Sequence, residues 1–380
     1  MRVGVLLALV SSVQIYQQSV LSAASTHFEP LEFAVANSAF SLGKFVSTFY
    51  LVFKPCSSAS ALHTDAVLLI IGGIIGLIPT STFLTIGRFL IGCGAGLGFV
   101  ASTTRLCEIV PYAERPKNFF VLGIAFAFAS FLVNALQFAD FNYQLIISFF
   151  SILTVLCGLV YIMNEQNIKS VERSSESLAS ESYLRFSSFP SLLMYGLMIA
   201  NVAIGVPITL AYSTPIFRSF GNTLATSTSF SMTFPLAQMG LMVLLYNISS
   251  DRKMLILGGF CLSIGVQAVL LLTNVYPFLP FGFHKSSQSL IFWILCVIIS
   301  VPCNTSLCLI SEQFNNSPNQ MNQISRGRSV MWILTALSTA TFPYMLGTNG
   351  FFITFFPYFF ISSIVLAFIA RIFPPLTTVL

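Results

Sequence analysis

The chain is 380 residues long, 56% hydrophobic and 8% charged, with 39 Phe and a net charge of +5. A soluble domain carries about 25% charged residues, so this composition excludes a soluble enzyme or a nucleic-acid-binding module. It leaves a protein whose solvent is lipid.

A transmembrane helix needs about 20 apolar residues. Apolar runs bounded by polar or Gly/Pro punctuation fall at 3–24, 33–53, 66–82, 84–104, 119–138 and 143–163 in the first part of the chain. They resume at 189–213, 226–246, 254–274, 290–311, 329–347 and 351–373, which predicts twelve spanning helices. The first run is too long for the h-region of a signal peptide and is read as a span. The third is interrupted at Pro79 and has almost no loop before the fourth. Asn164–Ser187 is the one long polar stretch, rich in Ser and Glu. It predicts a six-helix half over 1–163, a cytoplasmic linker over 164–187 and a second six-helix half over 188–380.

Placing both termini in the cytoplasm puts Arg2, Lys54, Arg115, Lys117, Lys169, Arg173, Arg185, Arg252, Lys253, Arg326, Arg328 and Arg371 inside. Arg218 and Lys285 remain outside, and the bias supports that orientation. The eight cysteines have no loop spacing and no accompanying His, so they read as buried thiols. No nucleophile–base set, metal spacing or cofactor motif is present, and no loop is long enough to fold alone.

The most specific segment runs Gly87-Arg88-Phe89-Leu90-Ile91-Gly92-Cys93-Gly94-Ala95-Gly96 and on to Glu108, Pro111 and Arg115. Gly-Arg, a glycine-rich stretch and Glu-x-x-Pro-x-x-x-Arg in that order resemble the fourth helix and following loop of the sugar-porter family of the major facilitator superfamily. Ala211-Tyr212-Ser213-Thr214-Pro215-Ile216-Phe217, then Gly221, resembles that family's Tyr-Tyr-Ser-x-x-Ile-Phe at the break in its seventh helix. The resemblance implies an all-α membrane fold of twelve helices in two pseudo-symmetric halves. It also implies alternating-access transport of a small polar solute, a hexose or related sugar, at the plasma membrane.

By the same resemblance, Arg88, Glu108, Arg115, Asp251, Arg252 and Glu312 govern conformation, with Glu108 paired to Arg115 and Glu312 to Arg326 or Arg328. Candidates for the solute cavity are Gln14, Tyr16, Gln17, Asn201, Tyr212, Gln238, Asn304, Thr305, Trp332 and Thr335. Several of the family's features are absent: Lys54 alone stands for its Gly-Arg-Arg loop, Leu122-Gly123 for a fifth-helix Gln, and Leu307 for a tenth-helix Trp. The twelve carboxylates read as lying in loops or at helix ends, Asp65 among them, and Gln17 follows Tyr16 where the family's proton symporters carry Asp. Uncoupled facilitated diffusion follows from that reading. Lys44, mid-way along the second run, snorkels to the interface, loses its proton or faces the cavity, where, if charged, it favours anionic solutes. Two competing readings therefore stand: a carrier of organic ions or other metabolites, and a homologue that senses solute without moving it.

Overall fold

The structure, a computed structural model, describes residues 3–24, 28–54, 56–111, 114–175, 189–247, 251–275, 285–314 and 319–373. The first half contains α1 (Val3–Ser19), α2 (Pro30–Phe53), α3 (Ser58–Gly76), α4 (Ser81–Ile109), α5 (Arg115–Phe138) and α6 (Tyr143–Ser175). The second contains α7 (Pro190–Ala203), α8 (Val206–Ser219), α9 (Leu224–Asn247), α10 (Arg252–Val275), α11 (Lys285–Ile298), α12 (Ser300–Gln313) and α13 (Gln320–Ile372). A 3-10 turn, Val20–Ala24, prolongs α1. The first half of the predicted linker, 164–175, continues α6, and the second half, 176–187, lies outside the described residues.

Ten stretches of the described residues are long and apolar enough to cross a membrane, with α7–α8 and α11–α12 each counted as one. Helix α2, whose apolar run is diluted by Asn37, Ser41 and Lys44, is a further crossing. Helix α13 makes two. Its 53 residues would extend about 80 Å if straight, over twice the thickness of a bilayer core. Gly350, at φ +72°, folds it back on itself; a side chain there would be strained. Large apolar side chains on the outer faces, among them Leu31, Leu145, Met254, Leu262 and Ile364, are exposed. That is the surface lipid requires, and the chain is an integral multi-pass membrane protein.

Two crossings are broken, and neighbours take up the freed backbone groups, as a membrane interior demands. Between α7 and α8, Gly205 adopts φ +92° and Pro207 sits at the start of the new helix. The carbonyl of Ile204 at this break accepts from Gln267 Nε2 of α10 at 3.1 Å, and Gln267 in turn accepts from Ser362 Oγ at 3.2 Å. Between α11 and α12, Pro302 cannot donate to the preceding turn. Nearby, the carbonyl of Cys296 accepts from Gln238 Nε2 at 2.7 Å.

The predicted third run starts too late. Ser57 caps α3, its side chain accepting from the Ser60 N–H at 3.2 Å, so the helix begins eight residues before the apolar run that marked it. Asp65 therefore lies inside a span rather than in a loop. It is fully buried, with no hydrogen-bond partner for either carboxylate oxygen. The cap and first turns of α3 are Ser and Ala, too weakly apolar to register as a span. Of the cysteines, Cys107, Cys296 and Cys308 are buried, Cys56, Cys93, Cys157 and Cys303 are half-buried, and Cys261 is exposed.

The glycines of α4 serve two packing faces. A Cβ at Gly92 would strike the Phe40 carbonyl of α2, and one at Gly98 would strike the Asp65 carboxylate of α3. Any larger residue would push these helices apart. The halves meet where α2 packs on α13 and α5 on α9.

Candidate functional site

A cavity lies at the meeting of the two halves. The first half contributes Gln14 and Gln18 of α1, Lys44 of α2, Phe99 of α4 and Phe126 of α5. The second contributes Asn201 of α7, Leu210 of α8, Asn304 of α12, and Arg328, Trp332 and Thr335 of α13. Gln14 and Gln18 are one helical turn apart, as are Arg328 and Trp332, with Thr335 three residues further, so each set shares one helix face.

Five sequence candidates line this cavity: Gln14, Asn201, Asn304, Trp332 and Thr335. Asn201 donates to Ser306 Oγ at 3.0 Å while its Oδ1 has no protein partner. Asn304 donates to the Ser300 carbonyl at 2.9 Å and stands against Gly123 of α5, where a Cβ would come within 2.8 Å of its Nδ2. Gln14 Oε1, both amide atoms of Gln18, Trp332 Nε1 and Arg328 Nε are buried and likewise have no protein partner. A buried group left unbonded costs about 1–3 kcal/mol, so the cavity holds a concentration of unmet hydrogen-bonding capacity.

The other five candidates lie elsewhere. Tyr16 and Gln17 turn toward α6, where the Tyr16 hydroxyl lies 3.0 Å from Thr154 Oγ1 and Gln17 Nε2 donates to the same oxygen at 2.9 Å. Tyr16 is two positions from Gln14 and Gln18, which on a helix is the opposite face. Gln238 serves the α11–α12 break instead, and Thr305 bonds back to the Val301 carbonyl at 2.8 Å. Tyr212 belongs to an aromatic cluster rather than the cavity wall. Its ring stacks on Phe342 at 5.4 Å and meets Phe33 of α2 edge-on at 5.6 Å, and its hydroxyl donates to the Thr339 carbonyl. Its own backbone is non-helical, at φ −134°. Phe33 and Tyr212 thus join the halves at the end of the bundle remote from the termini.

At the end that carries the termini, the predicted pairs are rearranged. Glu108 accepts from Arg105 Nη1 at 2.8 Å and from Ser58 Oγ at 3.3 Å, not from Arg115. Arg105 lies one turn back on the same helix face, whereas Arg115 opens α5 and donates its Nε to the Val110 carbonyl at 2.9 Å. Glu312 pairs with Arg252 Nη2 at 3.0 Å rather than with Arg326 or Arg328. The charge of Arg115, from the other half, also acts on Glu312. Asp251 is exposed and accepts from the Lys253 N–H at 3.0 Å, as an α10 cap. Asn322 donates to the Val52 carbonyl and Ser329 Oγ to Thr48 Oγ1 at 3.2 Å, tying α13 to α2 across the halves.

Arg88 is a buried cation held by backbone carbonyls. It is 1% exposed and donates to the carbonyls of Ala36 and Gln17 at 2.9 Å each, and to Asn37 Oδ1 at 3.5 Å. It does not line the cavity.

Lys44 and Arg328 do. Lys44 is 2% exposed, its ammonium 4.1 Å from the centre of the Phe40 ring and 4.2 Å from that of Trp332. Arg328 is 4% exposed, with its guanidinium 4.6 Å from the Phe99 ring centre and Nη1 at 3.3 Å from Met331 Sδ. A cation–π contact is worth about 0.5–2 kcal/mol, while desolvating an ion costs several kcal/mol, so the rings offset only part of that cost. Among the described residues, no carboxylate lines the cavity. Asp65 gives no compensation, because α4 intervenes: its Gly98 faces Asp65 and its Gly96 faces Lys44. Arg328, expected at a helix mouth among the cytoplasmic cations, is thus a cavity residue. Its spacing to Trp332 and Thr335 was the available signal.

No protein-family model matches the sequence, and no curated protein is similar to it in sequence. Solved structures are similar in fold. The major facilitator proton:xylose symporter XylE bound to 6-bromo-6-deoxy-D-glucose superposes with a TM-score of 0.72 at 13% identity, over 98% of this chain and 95% of that one. This chain has the major facilitator fold. A partially occluded inward-open form of XylE from E. coli matches with a TM-score of 0.70 at 13% identity, over 98% and 99% of the two chains. An inward-open form of the same protein gives 0.68 at 15% identity, over 99% and 97%.

Proposed function

We propose that the protein is an alternating-access carrier that moves a small polar, sugar-like solute across the plasma membrane by facilitated diffusion, with both termini in the cytoplasm. The observation that carries this reading is the cavity shared by two halves of a major facilitator fold, lined by buried polar atoms that have no protein partner. The halves, 1–163 and 188–380, are the moving bodies. The Phe33–Tyr212–Phe342 cluster closes one end, and the Arg115–Glu312–Arg252 group with the α2–α13 hydrogen bonds closes the other. The resemblance of the 87–115 segment to sugar porters and the fold shared with a xylose symporter support the sugar class. Carriage without proton coupling is supported by the cavity wall, which contains no carboxylate among the described residues. Asp65 of α3, buried within a span, runs against the expectation that every acid lies in a loop or at a helix end.

Uptake of radiolabelled xylose, glucose and a panel of polyols and organic ions into proteoliposomes tests the proposal. The expected result is saturable uptake that equilibrates and does not respond to an imposed pH gradient. Accumulation driven by that gradient would overturn uncoupled transport and direct attention to Asp65. Failure to move any of the panel would overturn the carrier itself. The Glu312→Gln variant is expected to slow uptake, because it removes the charge that Arg252 and Arg115 share.

A further inference from the structure

The proposed carrier reading leaves the chemistry of its solute open, and the cavity wall narrows it. Lys44 and Arg328 reach one cavity from opposite halves, and both are almost fully buried. Each is set against aromatic rings, and none of the described carboxylates forms an ion pair with either. Arg88, a buried cation that does not line the cavity, is surrounded instead by carbonyl acceptors. Lys44 and Arg328 have no such shell.

A neutral sugar bound beside them would supply hydroxyls and leave the Arg328 charge, and that of protonated Lys44, uncompensated. A carboxylate or phosphate oxygen supplies the missing charge, and the arginine fork suits either group. The remaining orphan atoms call for more than a bare anion. Gln14 Oε1 and Asn201 Oδ1 need donors, whereas Trp332 Nε1 needs an acceptor and Gln18 needs both. Several hydroxyls on a short carbon frame would meet those needs.

We infer that the solute is a hydroxylated organic anion, its carboxylate or phosphate compensated by Lys44 and Arg328 and its hydroxyls bound by Gln14, Gln18, Asn201 and Trp332. The inference rests on the cavity being the solute site. It departs from the neutral hexose that the sugar-porter resemblance implies.

Trp332 provides the readout. The chain has two tryptophans, so a Trp293→Phe variant reports from the cavity alone. In that full-length protein, titrations with glucose, glucuronate, glucose 6-phosphate and inorganic phosphate compare neutral, carboxylate, phosphate and bare-anion probes on a common frame. Glucuronate or glucose 6-phosphate is expected to quench Trp332 at concentrations at least tenfold below glucose, and whichever is tighter identifies the anionic group. Inorganic phosphate is expected to bind more weakly than the preferred sugar anion. Lys44→Met, with Arg328→Lys as a gentler second variant, is expected to reduce the preference over glucose at least tenfold and threefold respectively. Glucose binding as tightly as both sugar anions would overturn the inference, as would an anion preference unchanged in Lys44→Met. If a variant does not fold, competition among the four probes on the Trp293→Phe protein still decides the matter. Anion binding without uptake would leave the inference standing and overturn the carrier reading; uptake of glucose with no anion preference would do the reverse.

Discussion

Arg88 and Lys44 are buried cations on touching helices, α4 and α2, in opposite electrostatic situations. Arg88 lies where α1 tightens into its 3-10 turn, and there it finds the Gln17 carbonyl, the Ala36 carbonyl and the Asn37 amide oxygen. Its charge is used to join three helices. Lys44, two turns further along α2 from Asn37, meets only ring faces and looks into a cavity. The contrast separates a charge kept for the fold from one kept for something the fold does not contain. Arg88, a conformational candidate, takes all three of its acceptors from its own half, and its charge also reaches Tyr212 of the other half.

The largest expected effect tests the structural side of that contrast. Arg88→Met should lower unfolding free energy in detergent by about 3–5 kcal/mol, because it leaves several buried acceptors unbonded at once. A thermal-shift measurement checks this, and a loss below about 1 kcal/mol would erase the distinction from Lys44. Next comes the packing on which Arg88 depends. Gly92→Val drives a side chain into the Phe40 backbone and should cost about 1–3 kcal/mol by overpacking, visible as a lower melting temperature or loss of the monodisperse peak on size exclusion.

Smaller effects sharpen the other side. Tyr212→Phe removes one hydrogen bond to the Thr339 carbonyl while keeping both ring contacts. It should cost about 1 kcal/mol and alter the uptake rate more than the apparent solute affinity, which initial-rate kinetics would resolve. Lys44→Met should be the mildest in stability, within about 1 kcal/mol of the parent or slightly more stable, since it replaces an uncompensated charge with an apolar chain of similar length. A fall as large as that of Arg88→Met would mean that Lys44 also holds the fold together. Asp65→Asn makes the same comparison for the buried acid, whose oxygens have no partners, and a change of under about 1 kcal/mol is expected on the thermal-shift scale.

How far each feature could be read from the residues depended on the range of the signal. The lipid environment and the two sets of six crossings follow from composition and from local punctuation. A break in the seventh helix is implied only by the resemblance at 211–217; the structure interrupts that crossing earlier, at Gly205 and Pro207, and again at Tyr212. The 87–115 segment announced close helix packing, and Gly92 and Gly98 provide it against α2 and α3. Errors fell where polar residues begin a helix, as at Ser57–Asp65, where the apolar run starts later than the helix. They also fell where a choice lay between faces of one helix. Gln17 and Gln18 are adjacent and chemically identical, yet one binds α6 and the other lines the cavity.

From the sequence alone came the solvent, the number of crossings, the family resemblance and the stock of polar groups available to a site, because all of these are properties of segments. Only the packing of α2 against α13 and of α4 between Asp65 and Lys44 decided which of those groups share a cavity. Helical periodicity says which residues lie on one face; it does not say what that face meets. Lys44 and Arg328 belong to different halves, and no pattern within either helix could have brought them together.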